Sequence, residues 1–308
     1  MTLRIKLASS TEEVDQVFQV RHRVFVGDGY MDPEPDGRVV DRFDAYPGTV
    51  NFAVFWNERV VGAIRFTEHD ESVGVAADEF FDFSEYLPKD AHHGSLSMLC
   101  LEKEFRGQKR LFVGMIGMGT YWAKSRGVTC LRAATNPEIE KQLLRIGYES
   151  VAPPFFHEDL KLSVVPMLLS MDDLSDAFVD FVHKQHLDEV IDSFERCFYD
   201  EGEVILQRGD PGREAFIIVD GKVGIIWSEE GTVNTVLERG ALFGEIELFT
   251  DRPRIATVVA LDDVCVMVIE RSVFLQRLEQ YPKIARDLLT LITNRLAEVV
   301  AGSDEKPE

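Results

Sequence analysis

Phe243-Gly244-Glu245-Ile246-Glu247-Leu248-Phe249-Thr250-Asp251-Arg252-Pro253-Arg254-Ile255-Ala256-Thr257-Val258 is the stretch on which the reading turns. Gly244 lets the backbone approach a ligand, Glu245 follows at once, and after a short turn Arg254 stands just before a β-branched strand start. These groups suit a cyclic sugar phosphate. Glu245 can accept from a ribose 2′-hydroxyl, while Arg254 and the N–H groups near Ile255 and Ala256 can meet exocyclic phosphate oxygens. The candidate pocket therefore runs over Phe243, Gly244, Glu245, Ile246, Glu247, Leu248, Arg254, Ile255, Ala256 and Thr257.

Outward from this stretch, Gly202, Gly209, Gly221 and Gly240 punctuate apolar runs such as Phe216-Ile217-Ile218-Val219, where tight turns need them. Together these residues resemble the phosphate-binding cassette and β-roll of the cyclic-nucleotide-binding family. That resemblance implies a bound cyclic nucleotide, and Ile255 after Arg254, lacking a hydroxyl for a guanine amino group, favours cAMP over cGMP. Glu247 departs from the small residue usual in the family.

The chain has 308 residues, an apolar fraction of 45% and a formal net charge of −21. That length accommodates two cores. The negative field argues against nucleic acid as a partner, and a helix-turn-helix is not expected after Leu296. No apolar run is long enough for a membrane span and Met1 to Lys6 lacks a signal core, so a cytoplasmic protein is expected. Cys100, Cys130, Cys197 and Cys265 stand singly in apolar segments and read as reduced core residues. No metal is expected, because the adjacent His92 and His93 face opposite ways on a strand.

The front half begins with an alternating strand from Leu3 to Leu7 and a helix opened by a Ser10/Glu13 capping box. A Gly- and Pro-rich loop from Gly29 to Gly37 follows, and then a hairpin of Val50–Trp56 with Val60–Phe66. The strand from Leu96 to Leu101 leads through a basic loop into a helix from about Leu111 to Ser125, and Val128 to Ala134 is a strand again. A helix N-terminus gathering Arg106, Lys109 and Arg110 is suited to a diphosphate.

This order resembles the GNAT acyltransferase superfamily, which binds coenzyme A at that loop. The resemblance implies donor contacts from Leu99, Leu101, Arg106, Gly107, Gln108, Lys109, Arg110, Leu111 and Asn136. Lys109 and Leu111 replace usual glycines, so the donor thioester is acyl-CoA or an acyl-carrier protein. Arg21, Asp41, Asp44, Gly62 and Arg65 resemble the autoinducer-synthase and N-acyl-amino-acid-synthase branch, although Ser95 and Met98 replace its usual acid and arginine. The expected catalytic set is Asp41, Asp44, Arg65, Glu68 and Arg21, with a small amine or a protein lysine as acceptor. Leu143 stands where many such enzymes carry an acidic tyrosine, and Tyr148 reads as core.

The expected fold class is α+β: a GNAT-like mixed sheet over 1–170, a helical connector over 171–195, and a β-roll nucleotide domain with flanking helices over 196–308. Apolar residues recur at helical spacing from Phe274 to Leu296, where the family resemblance implies a lid over the nucleotide; a dimerisation helix is the other reading, both can hold, and a second copy of the chain is a further expected partner. The whole reads as a nucleotide-regulated N-acyltransferase. The competing reading is a sensor with a degenerate front domain.

Overall fold

The computed structural model describes residues 3–89, 91–158, 162–171, 195–227, 231–250, 252–272 and 275. The connector with His183 and His186, and the terminal helical segment apart from its first residues, lie outside the described residues.

The front half follows its sequence signals closely. Strand β1 (Leu3–Leu7) leads into helix α1 (Thr11–Gly27), whose Ser10/Glu13 capping box satisfies amides of the first turn on both sides. A 3₁₀ turn (Arg42–Ala45) precedes the hairpin β2 (Thr49–Trp56) and β3 (Arg59–Glu68). After a second 3₁₀ turn (Ala76–Glu79) come β4 (His93–Leu101), α2 (Lys109–Ser125), β5 (Cys130–Thr135) and α3 (Pro137–Ile146). β6 (Glu149–Ser150), β7 (Phe155–His157) and β8 (Leu162–Ser170) close the unit.

The rear half is a roll of short antiparallel strands: β9 (Glu195–Tyr199), β10 (Val204–Leu206), β11 (Glu214–Asp220), β12 (Val223–Ile226), β13 (Thr235–Leu237), β14 (Leu242–Phe243), β15 (Thr257–Ala260) and β16 (Val264–Glu270). Strands β10-β15-β12-β13 form one sheet. The other face of the roll does not stop at the domain border. It continues through β14-β11-β16-β9 into β1-β2-β3-β4-β5-β8-β6, so one 12-stranded sheet, with β7 on β8, crosses both halves. The seam is the antiparallel pair β9–β1, with Phe198 opposite Leu3, Cys197 opposite Arg4 and Arg196 opposite Ile5.

Helix α2 lies across this seam because its glycines permit close approach. A Cβ on Gly114 would meet Phe198 Cζ at 2.8 Å and Ile5 Cδ1 at 3.0 Å. The largest apolar cluster accordingly mixes front residues such as Phe52, Ile64 and Met115 with rear residues such as Phe198, Ile217 and Met267. Tyr148 and Cys265 are buried in this core, and all four cysteines are buried free thiols. Burial pushes the Cys100 and Cys265 thiols up to about 11, so they remain protonated. Among the described residues no helix is long and apolar enough to cross a membrane.

Candidate functional site

Two places gather chemistry. In the front domain, four of the five catalytic candidates form one buried ionic network under the 3₁₀ turn at Arg42–Ala45. Asp41 caps that turn through the Phe43 amide at 2.9 Å, and the Asp44 carboxylate returns to the Asp41 amide at 3.0 Å. Arg21 Nη1 donates to both Asp44 oxygens at 2.9 Å, and Arg21 Nη2 donates to Asn51 Oδ1. Arg65 grips Asp41 through Nη1 and Nη2 at 2.5 and 2.9 Å, lies 3.1 Å from Asp44, and donates from Nε to Ser97 Oγ at 3.1 Å. Arg21 and Arg65 are both 0% exposed. Burial pushes the Asp44 carboxyl up, but Arg21, Arg65 and the Asp41 amide outweigh it and hold that carboxyl below its ordinary range.

Glu68 stands apart from this network. Its Oε1 lies 2.7 Å from His92 Nε2 on the rim. Asn51 and Ser97 are network members that the catalytic candidates did not include; an Asn between Val50 and Phe52 in a buried strand was the available signal, because a buried amide requires partners.

Beside the network the sheet opens. β4 pairs with β5 in parallel only over His93–Ser95 against Cys130–Arg132. On its other edge, Ala63 faces Cys100 and Arg65 faces Ser97, so Met98 and Leu99 together oppose Ile64 in a bulge, with Met98 at φ 52°. A bulge re-aims backbone amides, and beyond Ser95 those on the β5 side have no β5 ladder to enter. Beyond Ser95 the two strands leave their common ladder and form a wedge.

The donor candidates are placed in different ways. Leu99 and Leu101 lie on β4, and Leu111 is fully buried. Gly107 takes φ 88°, Gln108 is the N-cap of α2, and Lys109 is exposed in its first turn. Arg106 folds back to the Leu101 carbonyl at 2.7 Å and pairs with Asp28 at 2.6 Å. Arg110 reaches the other way, into the rear domain: its guanidinium donates to the Tyr199 carbonyl at 3.2 Å and to Asp200, and lies 3.9 Å from Asp263. Asn136 caps α3 and donates to the Tyr30 hydroxyl at 3.1 Å, tying the Gly29–Gly37 loop to the end of β5.

The rear site is built on the cassette. Gly244 takes φ 70°, and Glu245 follows it, buried, at the N-cap of a short helix (Ile246–Phe249). Arg254 is 4% exposed and returns to this glycine, donating from Nη1 to the Gly244 carbonyl at 3.1 Å and from Nη2 to Glu214 Oε2 at 3.3 Å. Phe243 stacks on Phe216 with centroids 5.1 Å apart and belongs to the roll's core. Ile246 is half-buried, Ile255 exposed and Ala256 buried. Thr257 Oγ1 accepts from the Arg208 amide at 3.1 Å. Glu247 and Leu248 lie in the short helix, and the described residues do not include their side chains.

Comparison with known proteins matches both regions. Residues 16–170 match the family model of the N-acyl amino acid synthase FeeM, and residues 196–281 match the cyclic nucleotide-binding domain. The cyclic AMP receptor protein of Thermus thermophilus is 30% identical over 118 residues, covering 37% of this chain and 54% of that protein. Human cGMP-dependent protein kinase 2 is 33% identical over 113 residues, covering 35% of this chain and 15% of the kinase. The chain thus spans about half or less of the length of these curated relatives. The solved structure of FeeM, from uncultured soil microbes, superposes with a TM-score of 0.49 at 12% identity, covering 56% of this chain and 93% of that one.

Proposed function

This chain belongs to the N-acyl amino acid synthase FeeM family and carries a cyclic nucleotide-binding domain behind it, and from that premise we propose that it transfers an acyl group from a thioester to an amine under the control of a bound cyclic nucleotide. The front domain is read as a GNAT acyltransferase, with the donor in the β4–β5 wedge and an amino acid as acceptor beside Arg65 and Ser97. Acyl-CoA and an acyl-carrier protein present the same phosphopantetheine thioester. The regulatory nucleotide is read as cAMP, held by Glu245 and Arg254.

The observation that carries this reading is Arg110. It sits in the first turn of α2, where an anionic donor is expected, and its guanidinium is held by Tyr199 and Asp200 at the end of β9. A nucleotide that shifts this turn moves a cation at the donor site. Coupling between two ligands is reciprocal and amounts to about 5–150-fold in affinity for a typical allosteric pair.

Thiol release from acyl-CoA and acyl-carrier-protein donors, with a panel of amino acids and with or without cAMP or cGMP, tests the reading. The wild type is expected to change its donor KM with cAMP. In Arg110→Ala the ratio of donor KM with and without nucleotide is expected to fall to near one, while cAMP affinity measured by calorimetry without donor stays within about threefold, since Arg110 is not one of the residues assigned to the nucleotide pocket. A second reading, a sensor without turnover, draws on the pairing of both Arg106 and Arg110 with carboxylates. Nucleotide binding without donor binding would decide for it.

A further inference from the structure

The wedge between β4 and β5 has a mouth, and the chain itself crosses it. The two strands run parallel and share rungs only as far as Ser95 and Arg132, so their C-terminal ends, Leu101 and Thr135, flank the open side. The stretch that leaves helix α1, Asp28-Gly29-Tyr30, is tied to both ends.

On the β4 side the Asp28 carboxylate accepts from Arg106 at two points, from Nη1 at 3.2 Å and from Nη2 at 2.6 Å. The same guanidinium donates from Nε to the Leu101 carbonyl at 2.7 Å, and Lys103 Nζ stands 3.7 Å from Asp28. On the β5 side Asn136 directly follows Thr135, and its Nδ2 donates to the Tyr30 hydroxyl at 3.1 Å. Its other end is fixed, because Asn136 Oδ1 accepts from the Glu138 amide at 2.9 Å. Two residues of backbone reach at most about 7 Å, so the long side chains of Arg106 and Tyr30 complete the bridge.

The root of this bridge is firm and its far contacts are not. The Asp28, Gly29 and Tyr30 amides donate to the Val24, Val26 and Phe25 carbonyls at 2.9, 3.0 and 2.8 Å, and Gly29 at φ 78° turns the chain off the helix axis. Further along, the Glu34 amide donates to His22 Nε2 at 3.0 Å. Over the mouth itself there are two side-chain links. The Arg106 side chain is 39% exposed, and an ion pair so open to water is weak. A phosphate offers a guanidinium the same two-point geometry with more charge. Once an anion holds Arg106, the Asp28 carboxylate faces a like charge and is repelled.

We propose that residues 28–30 form a strap closing the donor mouth, and that the donor's own phosphate opens it by taking Arg106 from Asp28. The inference rests on the synthase reading above, which puts the donor in the wedge. Asp28 then sets the donor's apparent affinity, and Tyr30 on Asn136 is the latch that gives way.

Hydrogen exchange of the full chain, read by mass spectrometry on a peptide covering residues 29–38, follows the strap directly. Coenzyme A is expected to speed exchange at the Tyr30 and Glu34 amides several-fold in the wild type and to leave it unchanged in Arg106→Gln. A ligand that merely covers the segment slows exchange instead. Asp28→Asn keeps the side chain's size and removes its charge, so the KM for acyl-CoA, read by thiol release, is expected to fall about 5–10-fold. In an Arg106→Gln background the same substitution is expected to change nothing, a non-additivity that damage to the end of α1 does not produce. Slower or unchanged exchange in a wild type that releases thiol, or an Asp28→Asn KM at or above the wild-type value, overturns the strap and leaves the synthase reading standing. Faster exchange with coenzyme A in a chain that releases no thiol from any donor supports the strap and overturns that reading.

Discussion

Replacing Arg21 by methionine is expected to lower the unfolding free energy of the front domain by roughly 3–5 kcal/mol, because it leaves a buried charge without its counter-ion. Arg21 supplies both of the 2.9 Å bonds from Nη1 to Asp44 and holds Asn51 as well. The Asp44 side chain is 1% exposed, so water cannot replace what is lost, and Arg65 at 3.1 Å is already engaged by Asp41. Methionine fills the stem's volume without supplying a donor. Urea unfolding followed by tryptophan fluorescence can report the loss, since Trp122 lies in, and Trp56 packs against, the core cluster that spans both halves.

The pH dependence fixes the cause. In the wild type the folded Asp44 carboxyl is depressed, so its stabilisation is present above the unfolded carboxylate value, about 3.9, and is lost as pH falls through the folded value. In Arg21→Met desolvation dominates and the carboxyl rises above its unfolded value, which adds a penalty that grows with pH. The gap between wild type and variant should therefore narrow from pH 7 to pH 5. A constant gap would assign the loss to packing alone.

Much of the architecture was legible because local signals agreed with the global fold. The capping box at Ser10, the Asn57-Glu58 turn between two apolar strands and the glycine-punctuated turns of the roll each specify their structure within a few residues. The mixed sheet in front and the roll behind agree with the two family matches. The seam did not: β1 and β9 are about 190 residues apart in sequence, and an alternating edge strand such as Leu3–Leu7 does not name its neighbour. For the same reason the contacts of Arg110 to the rear half were not foreseen. Spacing places it at a helix N-terminus, but Asp200 and Asp263 reach it only through long-range pairing. The ring contact of His69 with His93 was hidden differently. His92-His93 drew attention as adjacent residues, whereas the partner of His93 is His69, one rung across the ladder.

For the rear site, Arg254→Ala is expected to weaken cyclic-nucleotide binding by about 2–5 kcal/mol, a factor of roughly 30 to several thousand in Kd, the range for truncating one member of a buried charge pair. Arg254 is nearly buried, and its guanidinium is held at 3.1 Å by the Gly244 carbonyl and at 3.3 Å by Glu214. An arriving phosphate meets a cation already aimed and desolvated, so little ordering remains to oppose binding. Gly212→Ala separates aim from charge. A Cβ at that position would lie 2.0 Å from Arg254 Nε, so the alanine must push the guanidinium aside while leaving its charge in place. Calorimetry with cAMP should find both variants weakened, with Glu214→Gln tighter than wild type because the phosphate no longer competes with a carboxylate. Unchanged affinity in Arg254→Ala would remove Arg254 from the pocket, and equal affinity in Glu214→Gln and wild type would show that the phosphate joins Glu214 at the guanidinium rather than displacing it.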